Sequence, residues 1–308
     1  MDILWLGQPE CQDARLVGGK AANLSLLAAS HRVPPGFCLT TEVFRRWMPM
    51  AARDETELPP GTLPLALYEP LIMAYQDLAH RCGVADLPVA VRSSAVDEDS
   101  ASVSFAGQHE TFLNVAGARA VVAAVVRCWQ SLKSPRALEY RRQHGLSVEG
   151  VCLAVLVQEF IPADVSAVVF SVNPVTGRRD EVVINVSWGL GESVVGGTVT
   201  PDTYVVNKGT LKIVERQIAD KWRMTVPIPE GTEEVDVPRF LQTRPALEDS
   251  QVVELAQLAV ALESTMGWPV DLECAYHAGE LYLLQCRPIT TLEGANEVES
   301  HSETREEE

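Results

Sequence analysis

The sequence lacks the cysteine and histidine clusters that build metal centres and disulfide frameworks. Its seven cysteines are scattered, with no CxxC pair, and its six histidines and these cysteines show no zinc-ligand spacing. Most of the cysteines lie in apolar runs, where they behave as small core residues. No histidine forms a recognisable set with a Ser or Cys nucleophile. These absences argue against a zinc domain, a disulfide scaffold and a triad-type hydrolase.

Long apolar runs and basic charge are also scarce. No apolar stretch approaches membrane-spanning length, and the first residues do not join a charged segment to an apolar one as a secretory signal does. Lys and Arg number 25 against 42 Asp and Glu, a net charge of −17, which disfavours nucleic acid and anionic membranes as partners. A nucleotide pocket needs only a few local cations and stays possible. We therefore expect a cytoplasmic protein with no nucleic-acid and no membrane partner.

Two common nucleotide-binding fingerprints are incomplete. A Walker A loop ending at Lys20 would need Gly at position 14 and Ser or Thr at position 21, and both positions are Ala. The glycine-rich segment 188–197 contains GxG, but the dinucleotide fingerprint would require Gly where Val194 stands, and Val-Val-Gly-Gly is a poor helix start. We reject both readings and predict a mobile loop over 188–197.

The predicted secondary structure is mixed. The chain has 308 residues, 46% of them apolar, which suits two domains or one two-lobed unit. Predicted hairpins outnumber βαβ units, which favours an α+β fold. Helices are expected over 21–30, directly after Gly18-Gly19-Lys20, over 118–132 and over 248–266, and hairpins over 151–161 with 164–172 and over 202–207 with 211–216.

The most informative stretch is a predicted hairpin over Trp268–Ile289. Alternation places Asp271 with Glu273 on one face of its first strand and Gln285 with Arg287 on one face of its second. A loop centred on Gly279 sets Glu273 opposite Gln285, whereas a two-residue loop requires a bulge. Carboxylate and amide oxygens suit Mg²⁺, and a guanidinium suits phosphate. For the hairpin taken alone, the favoured interpretation is an internal salt bridge with an amide neighbour.

Three earlier stretches carry polar groups at strand or helix ends. Lys20 follows two glycines at a helix start, an arrangement that favours phosphate oxygens, although an ordinary turn with a solvated lysine fits too. Arg92 ends an apolar strand before a polar loop that resembles a flap over phosphates, or a simple capped strand end. Gln158 lies in an apolar strand and could face either a purine edge or solvent.

Taken together, these stretches resemble one family. They are similar, in the same order, to the ATP-binding domain of phosphoenolpyruvate synthase, pyruvate phosphate dikinase and rifampin phosphotransferase over about residues 15–290. The matching pieces are Gly18-Gly-Lys-Ala-Ala-Asn-Leu24, Val33-Pro-Pro-Gly-Phe-Cys-Leu-Thr40, Val91-Arg-Ser-Ser-Ala95, Ser104-Phe-Ala-Gly-Gln-His-Glu-Thr111, Gln158 with Ile161-Pro-Ala-Asp164, Asn173-Pro-Val-Thr-Gly177, Gly189-Leu-Gly-Glu192 with Pro201-Asp202, and Asp271-Leu-Glu273 with Gln285-Cys-Arg-Pro-Ile289.

The resemblance implies an ATP-grasp-like fold in which two lobes hold Mg-ATP in a cleft. The lobes are expected at residues 1–200 and 201–292, followed by an acidic, disordered tail over 293–308. The implied roles are phosphate binding by Lys20 and Arg92, a phosphate loop at Gly107 and Thr111, an adenine-side hinge at Gln158, Mg²⁺ ligation by Glu273 and Gln285, and stabilisation of the transferring phosphate by Arg287. Lys20, Arg92 and Arg287 would be the catalytic residues.

The implied activity is that of an ATP-dependent phosphotransferase, or kinase, component. It would pass a phosphoryl group to a histidine on a separate domain or partner protein and release AMP and phosphate. None of the six histidines of this chain stands in a context similar to the family's phosphorylated histidine, so we expect the reaction to need a histidine-bearing phosphocarrier in trans. The alternative is an ATP-sensing or scaffold module without turnover. A carboxylate–amine ligase of the wider ATP-grasp type is disfavoured by the order of the motifs.

Overall fold

The protein contains two antiparallel sheets, a short two-stranded ribbon and seven α-helices in the part of the chain that the structure describes. A computed structural model describes residues 2–53, 63–96, 110–132, 134, 139, 142–143 and 151–289. The strands are β1 (Ile3–Trp5), β2 (Gly36–Leu39), β3 (Val89–Ala95), β4 (Thr111–Val115), β5 (Leu153–Glu159), β6 (Val165–Phe170), β7 (Glu181–Trp188), β8 (Asp202–Asn207), β9 (Lys212–Gln217), β10 (Arg223–Pro227), β11 (Thr232–Asp236), β12 (Val270–His277) and β13 (Glu280–Pro288).

The helices pack on both faces of the first sheet and on the second sheet. They are α1 (Ala14–Leu27), α2 (Thr41–Arg53), α3 (Leu65–Cys82), α4 (Ala118–Ser131), α5 (Glu192–Val195), α6 (Arg239–Gln242) and α7 (Asp249–Met266), with a 3₁₀ helix at Pro9–Gln12. Antiparallel sheets with interspersed helices confirm the α+β prediction. The helices predicted over 118–132 and 248–266 are confirmed as α4 and α7.

The first sheet has the strand order β1-β2-β5-β3-β4. One of its faces packs against α2, α3 and α4 in a core that includes Trp47, Leu71 and Trp129. The opposite face packs against α1, whose buried residues join a second core. Strand β3, next to the edge strand β4, is buried along its whole length, so Arg92 carries its charge on a buried strand. A charged side chain there requires compensating partners.

The second sheet has the order β13-β12-β6-β7-β8-β9 and packs on α7. The predicted hairpin of β8 and β9 is confirmed. The hairpin of β12 and β13 is also confirmed, and its turn consists of Ala278 and Gly279, both with positive φ, as a primed two-residue turn requires. The register shifts between Glu273 and Cys274, so the bulge predicted for a two-residue loop is present.

A hairpin predicted over 151–161 and 164–172 is wrong. Strand β5 pairs with β2 and β3 of the first sheet, whereas β6 pairs with β12 and β7 of the second. Both strands are buried almost throughout, so their apolar runs carry no alternation that would identify their neighbours. The chain therefore passes from one sheet to the other between Glu159 and Val165.

Helix α1 begins earlier than predicted and contains a break. Asp13 caps it by accepting a hydrogen bond from the backbone N–H of Arg15, so the helix starts at Ala14 rather than at position 21. Within it, Gly18 has φ +74°, outside the helical region. A Cβ at Gly18 would lie 2.2 Å from the carbonyl oxygen of Ser94. The break thus lets the second part of α1, with Lys20, start directly against the end of β3.

The ribbon of β10 and β11 was not predicted and joins both sheets. The side-chain amide of Asn114 on β4 donates to the carbonyl oxygens of Ile228 and Gly231 in the turn of the ribbon, at 2.5 and 2.8 Å. At the other side, the N–H of Leu190, just after β7, donates to the carbonyl of Thr225 at 2.8 Å. The ribbon therefore bridges β4 and the segment after β7.

Contrary to the prediction, the segment 188–197 is not a loop throughout, because it contains the one-turn helix α5. The predicted division at residue 200 falls between β7 and β8, which are neighbours in the second sheet. Residues 290–308, which include the predicted tail, lie outside the described residues, and the division into lobes stays a prediction.

Candidate functional site

The candidate site is a cavity of about 920 Å³ lined by residues of both sheets. Small-molecule sites in proteins commonly have volumes of 300 to 1,000 Å³. Of the eight residues predicted for the site, seven line this cavity, namely Lys20, Arg92, Thr111, Gln158, Glu273, Gln285 and Arg287. Gly107 lies outside the described residues. The structure thus brings together residues that are up to 267 positions apart, while their roles stay predictions.

Arg92 connects the first sheet with the hairpin of β12 and β13. Its Nη2 donates to Glu273 Oε2 at 3.0 Å and to Gln285 Oε1 at 2.9 Å. Its Nη1 donates to the carbonyl oxygen of Leu284, the bulge residue, at 2.5 Å. The Arg92 side chain is only 9% exposed, so these acceptors offset the desolvation of its charge. Arg92 Nε is buried without a hydrogen-bond partner among the described residues.

Glu273 and Gln285 stand directly opposite each other, as predicted. Both side-chain oxygens accept from Arg92 Nη2, so they lie close together, and a metal ion would have to bind beside that guanidinium nitrogen. Two neighbouring oxygen donors, one of them charged, have the chemistry that Mg²⁺ prefers, so the donor set fits the predicted ion. No group of three or more His, Cys, Asp or Glu side chains with metal-site geometry occurs among the described residues. A metal held here would rely on the ligand's own oxygens or on water to complete its coordination.

Lys20 lies on α1 and lines the same cavity. It is 5% exposed, and its Nζ donates to the carbonyl oxygen of Ser93 at 2.8 Å. The hydroxyl of Ser94 accepts from the backbone N–H of Ala21 at 3.2 Å, which holds the helix against the end of β3. Thr111 on β4 is the register partner of Arg92 and is exposed. Lys20, Arg92 and Thr111 therefore approach the cavity from three adjacent elements.

Gln158 lies at the end of β5 and is 2% exposed. Its amide nitrogen donates to the carbonyl oxygen of Pro34 at 2.9 Å, which fixes the orientation of the side chain. The next residues, Glu159 and Phe160, also line the cavity. This end of the cavity combines apolar walls with a few polar groups, as an adenine site would.

Asp271 does not line the cavity but contacts Arg287, which does, and it was left out of the predicted set. Its Oδ2 accepts from Arg287 Nε at 2.8 Å, while its Oδ1 is buried without a hydrogen-bond partner among the described residues. Burial raises the pKa of Asp271, and the Arg287 guanidinium opposes that rise. The signal in the sequence was its position two residues before Glu273, on the same face of an apolar strand.

Glu192 on α5 was also missed. It lines the cavity and accepts a 2.8 Å hydrogen bond from Thr232 of the ribbon.

Glu159 gives a pH-dependent prediction. The side chain is half-buried, and burial raises the pKa of its carboxyl group. Because the folded-state pKa lies above the unfolded value, the protonated group's contribution to stability is present below pH 4.5 and is lost as pH rises through the folded pKa. Glu159→Gln should therefore raise the melting temperature by about 1–2 °C at pH 7.5, a small effect because the group is partly solvated.

The gain should disappear near pH 4, where both side chains are neutral. Melting curves of the two proteins at pH 4 and pH 7.5 test this expectation. Glu215→Gln, at an exposed position on β9, serves as the control and should change neither value. An equal gain at both pH values would contradict the assignment to burial of the charge.

In the described part of the chain, no helix combines the length and the apolar character needed to cross a bilayer.

Comparisons with known proteins point to one family. Residues 56–308 match the family model described as pyruvate phosphate dikinase, AMP/ATP-binding domain. A probable phosphoenolpyruvate synthase of Methanocaldococcus jannaschii is 39% identical over 94% of this chain and 27% of its own length. The phosphoenolpyruvate synthase of Pyrococcus furiosus is 36% identical over 99% of this chain and 45% of its own. An uncharacterized phosphotransferase of Bacillus subtilis is 36% identical over 92% and 34%, respectively.

The chain spans between about a quarter and a half of the length of these relatives. The family model, in contrast, covers most of the chain and includes the hairpin of β12 and β13. The resemblance deduced from the ordered motifs is thereby confirmed, and the chain belongs to the pyruvate phosphate dikinase AMP/ATP-binding domain family.

Proposed function

We propose that the chain binds Mg-ATP in the cavity between its two sheets and passes a phosphoryl group to a histidine of a separate domain or protein. The observation that carries this proposal is the meeting of Lys20 and Arg92 with Glu273, Gln285 and Arg287 at one cavity. The family is ATP-grasp-like, and in this proposal the two sheets belong to the two lobes that enclose the nucleotide. Phosphoenolpyruvate synthases are among the chain's relatives, which supports a reaction of that class.

The cavity supplies a site for each part of the nucleotide in this proposal. Gln158 and the apolar wall beside Phe160 would hold the adenine. Lys20 and Arg92 would bind the phosphates, where compact and planar cations offset their charge. When bound, Mg²⁺ would neutralise phosphate oxygens, and Glu273 with Gln285 would hold it.

Positioning and charge stabilisation account for most of phosphoryl-transfer catalysis. Arg287 would stabilise the charge of the transferring group, and its guanidinium is oriented by the 2.8 Å ion pair with Asp271. ATP, water and the histidine would yield AMP, inorganic phosphate and phosphohistidine, the β-phosphoryl group being the one transferred. We propose that this activity takes place in the cytoplasm.

The experiment that tests the proposal combines binding and turnover. Calorimetric titration with Mg-ATP should show binding by the chain alone. Addition of the histidine-bearing domain of a related phosphoenolpyruvate synthase should then yield AMP, and a variant of that domain lacking the histidine should not. Formation of ADP in place of AMP would refute the chemistry. Binding without turnover across several partners would support the ATP-sensing alternative.

A further inference from the structure

Two polar side chains of α1 reach out of the helix to different sheets. Lys20 donates to the carbonyl oxygen of Ser93 at the end of β3, at 2.8 Å. Asn23 donates through Nδ2 to the carbonyl oxygen of Cys286 on β13, at 3.0 Å. Residues three apart lie on neighbouring positions of one helix face. The second part of α1 therefore bridges the first sheet and the hairpin of the second.

Asn23 is an unusual residue for its place. Asparagine is a poor choice for a helix interior because its amide competes for local backbone hydrogen bonds. Here the amide is used across elements instead. Asn23 does not line the cavity, but its acceptor Cys286 lies between Gln285 and Arg287, which do. Its influence on a ligand would therefore pass through β13.

Strand β13 accepts a second side-chain hydrogen bond two residues earlier. Arg92 donates to the carbonyl oxygen of Leu284, and Asn23 to that of Cys286. Strand β13 is also held by its pairing with β12 and by the hydrogen bond from Leu283 to the carbonyl oxygen of Arg32. The Asn23 contact adds a tie between this strand and the helix that carries Lys20, so its removal would loosen the spacing between Lys20 and the Gln285–Arg287 segment. Small displacements of this kind are costly because positioning carries much of the catalytic effect.

We infer that Asn23 is a positioning residue, whose amide sets the spacing between Lys20 and the Gln285–Arg287 segment for the phosphates of the nucleotide. This inference rests on the proposed function. It assigns Asn23 to the triphosphate end of the ligand and not to the adenine end. Nucleotides with and without the β- and γ-phosphates should therefore respond differently to its substitution.

The test compares Mg-ATP with AMP as ligands of the intact chain. Asn23→Asp keeps the size of the side chain and removes the donor, and Asn23→Ala removes the donor without adding charge. Each should weaken Mg-ATP binding about fivefold, the equivalent of one hydrogen bond of about 1 kcal/mol, and leave AMP binding within twofold. The matched control is Thr41→Val, which removes the 2.9 Å hydrogen bond to the carbonyl of Arg15 on the same helix, away from the cavity.

Isothermal titration calorimetry supplies the dissociation constants, and melting curves report folding. Unchanged Mg-ATP binding in both Asn23 variants would overturn the inference. Equal losses for Mg-ATP and AMP, or a similar loss in Thr41→Val, would also overturn it, because they indicate general loosening of α1. If Asn23→Asp does not fold, Asn23→Ala decides. Absence of Mg-ATP binding by the unsubstituted chain would instead refute the proposed function and this inference with it.

Discussion

Glu273→Gln is expected to abolish the Mg²⁺ dependence of ATP binding and to lower turnover by about a hundredfold or more. The substitution removes the negative charge of Glu273, whose Oε2 lies beside Gln285 Oε1. It keeps a side-chain oxygen that can accept the hydrogen bond from Arg92, now 3.0 Å long. Because Arg92 is 9% exposed and would lose its charged acceptor, the melting temperature should fall by about 5–10 °C, and both effects are measured below the onset of unfolding. Calorimetric titration of ATP at increasing Mg²⁺ concentration measures the first effect without any partner protein, and AMP release measures the second.

The matched control for this prediction is Glu263→Gln. Glu263 pairs with Lys208 and is 24% exposed, close to the 19% of Glu273, but it does not line the cavity. The Glu263→Gln variant should bind Mg-ATP as the unsubstituted chain does. Comparable Mg²⁺ responses in both variants, or full turnover in Glu273→Gln, would show that the hairpin carboxylate is only a structural partner of Arg92.

Arg287→Ala, a natural companion experiment, gives a less direct answer. The structure pairs Arg287 with Asp271, whose side chain is 8% exposed. Removal of the guanidinium would leave a buried carboxylate without that partner, which destabilises the folded state. Loss of activity in this variant would therefore combine both causes.

Gly18→Ala is expected to lower the free energy of unfolding by about 4 kcal/mol. Two costs add, each of about 1–3 kcal/mol: a non-glycine residue at φ +74°, and a methyl group 2.2 Å from the carbonyl oxygen of Ser94. Relief of that clash would move α1 away from β3 and carry Lys20 with it. Urea unfolding measures the loss, and weaker Mg-ATP binding by the fraction that stays folded would accompany it.

Gly83→Ala is the control at a glycine where neither cost is large. Gly83 caps α3 with φ +71° and ψ +21°, a left-handed helical conformation that alanine can adopt, and a Cβ there would meet no heavy atom within 4 Å. Gly18, with φ +74° and ψ +165°, lies in a region that is essentially restricted to glycine. Gly83→Ala should therefore lose only about 1 kcal/mol. Equal losses at both positions would mean that neither the backbone conformation of Gly18 nor crowding against Ser94 adds a cost.

The sequence predicted the polar face of the β12–β13 hairpin because alternation is a strong signal where apolar and polar residues change strictly. The pairing of Glu273 with Gln285 followed from it, but the choice between a longer loop and a bulge did not, because either one restores the same register. The order of the motifs then identified the family. Residues far apart in the chain, such as Lys20 and Gln285, could be joined only through that resemblance.

Other features had no usable signal. Strands β5 and β6 are apolar on both faces, so nothing in them indicated that they enter different sheets. The β10–β11 ribbon is mostly exposed and shows no apolar alternation. Neither its strands nor their contacts with both sheets could therefore be predicted from the sequence. The start of α1 depends on a single N-cap residue, Asp13. The glycines that follow Val17 led to a predicted helix start that was too late in the sequence.

The contacts on β13 have a consequence for self-association. This strand is the last of its sheet, and the outer row of peptide groups on such a strand is a template for pairing with another molecule. Here the N–H of Leu283 donates to the carbonyl of Arg32, and the carbonyls of Leu284 and Cys286 accept from Arg92 and Asn23. The hydrogen bonds that position residues of the cavity thus also occupy backbone groups at this sheet edge. Variants that lose these bonds should expose the edge and aggregate more readily than their melting temperatures alone would suggest.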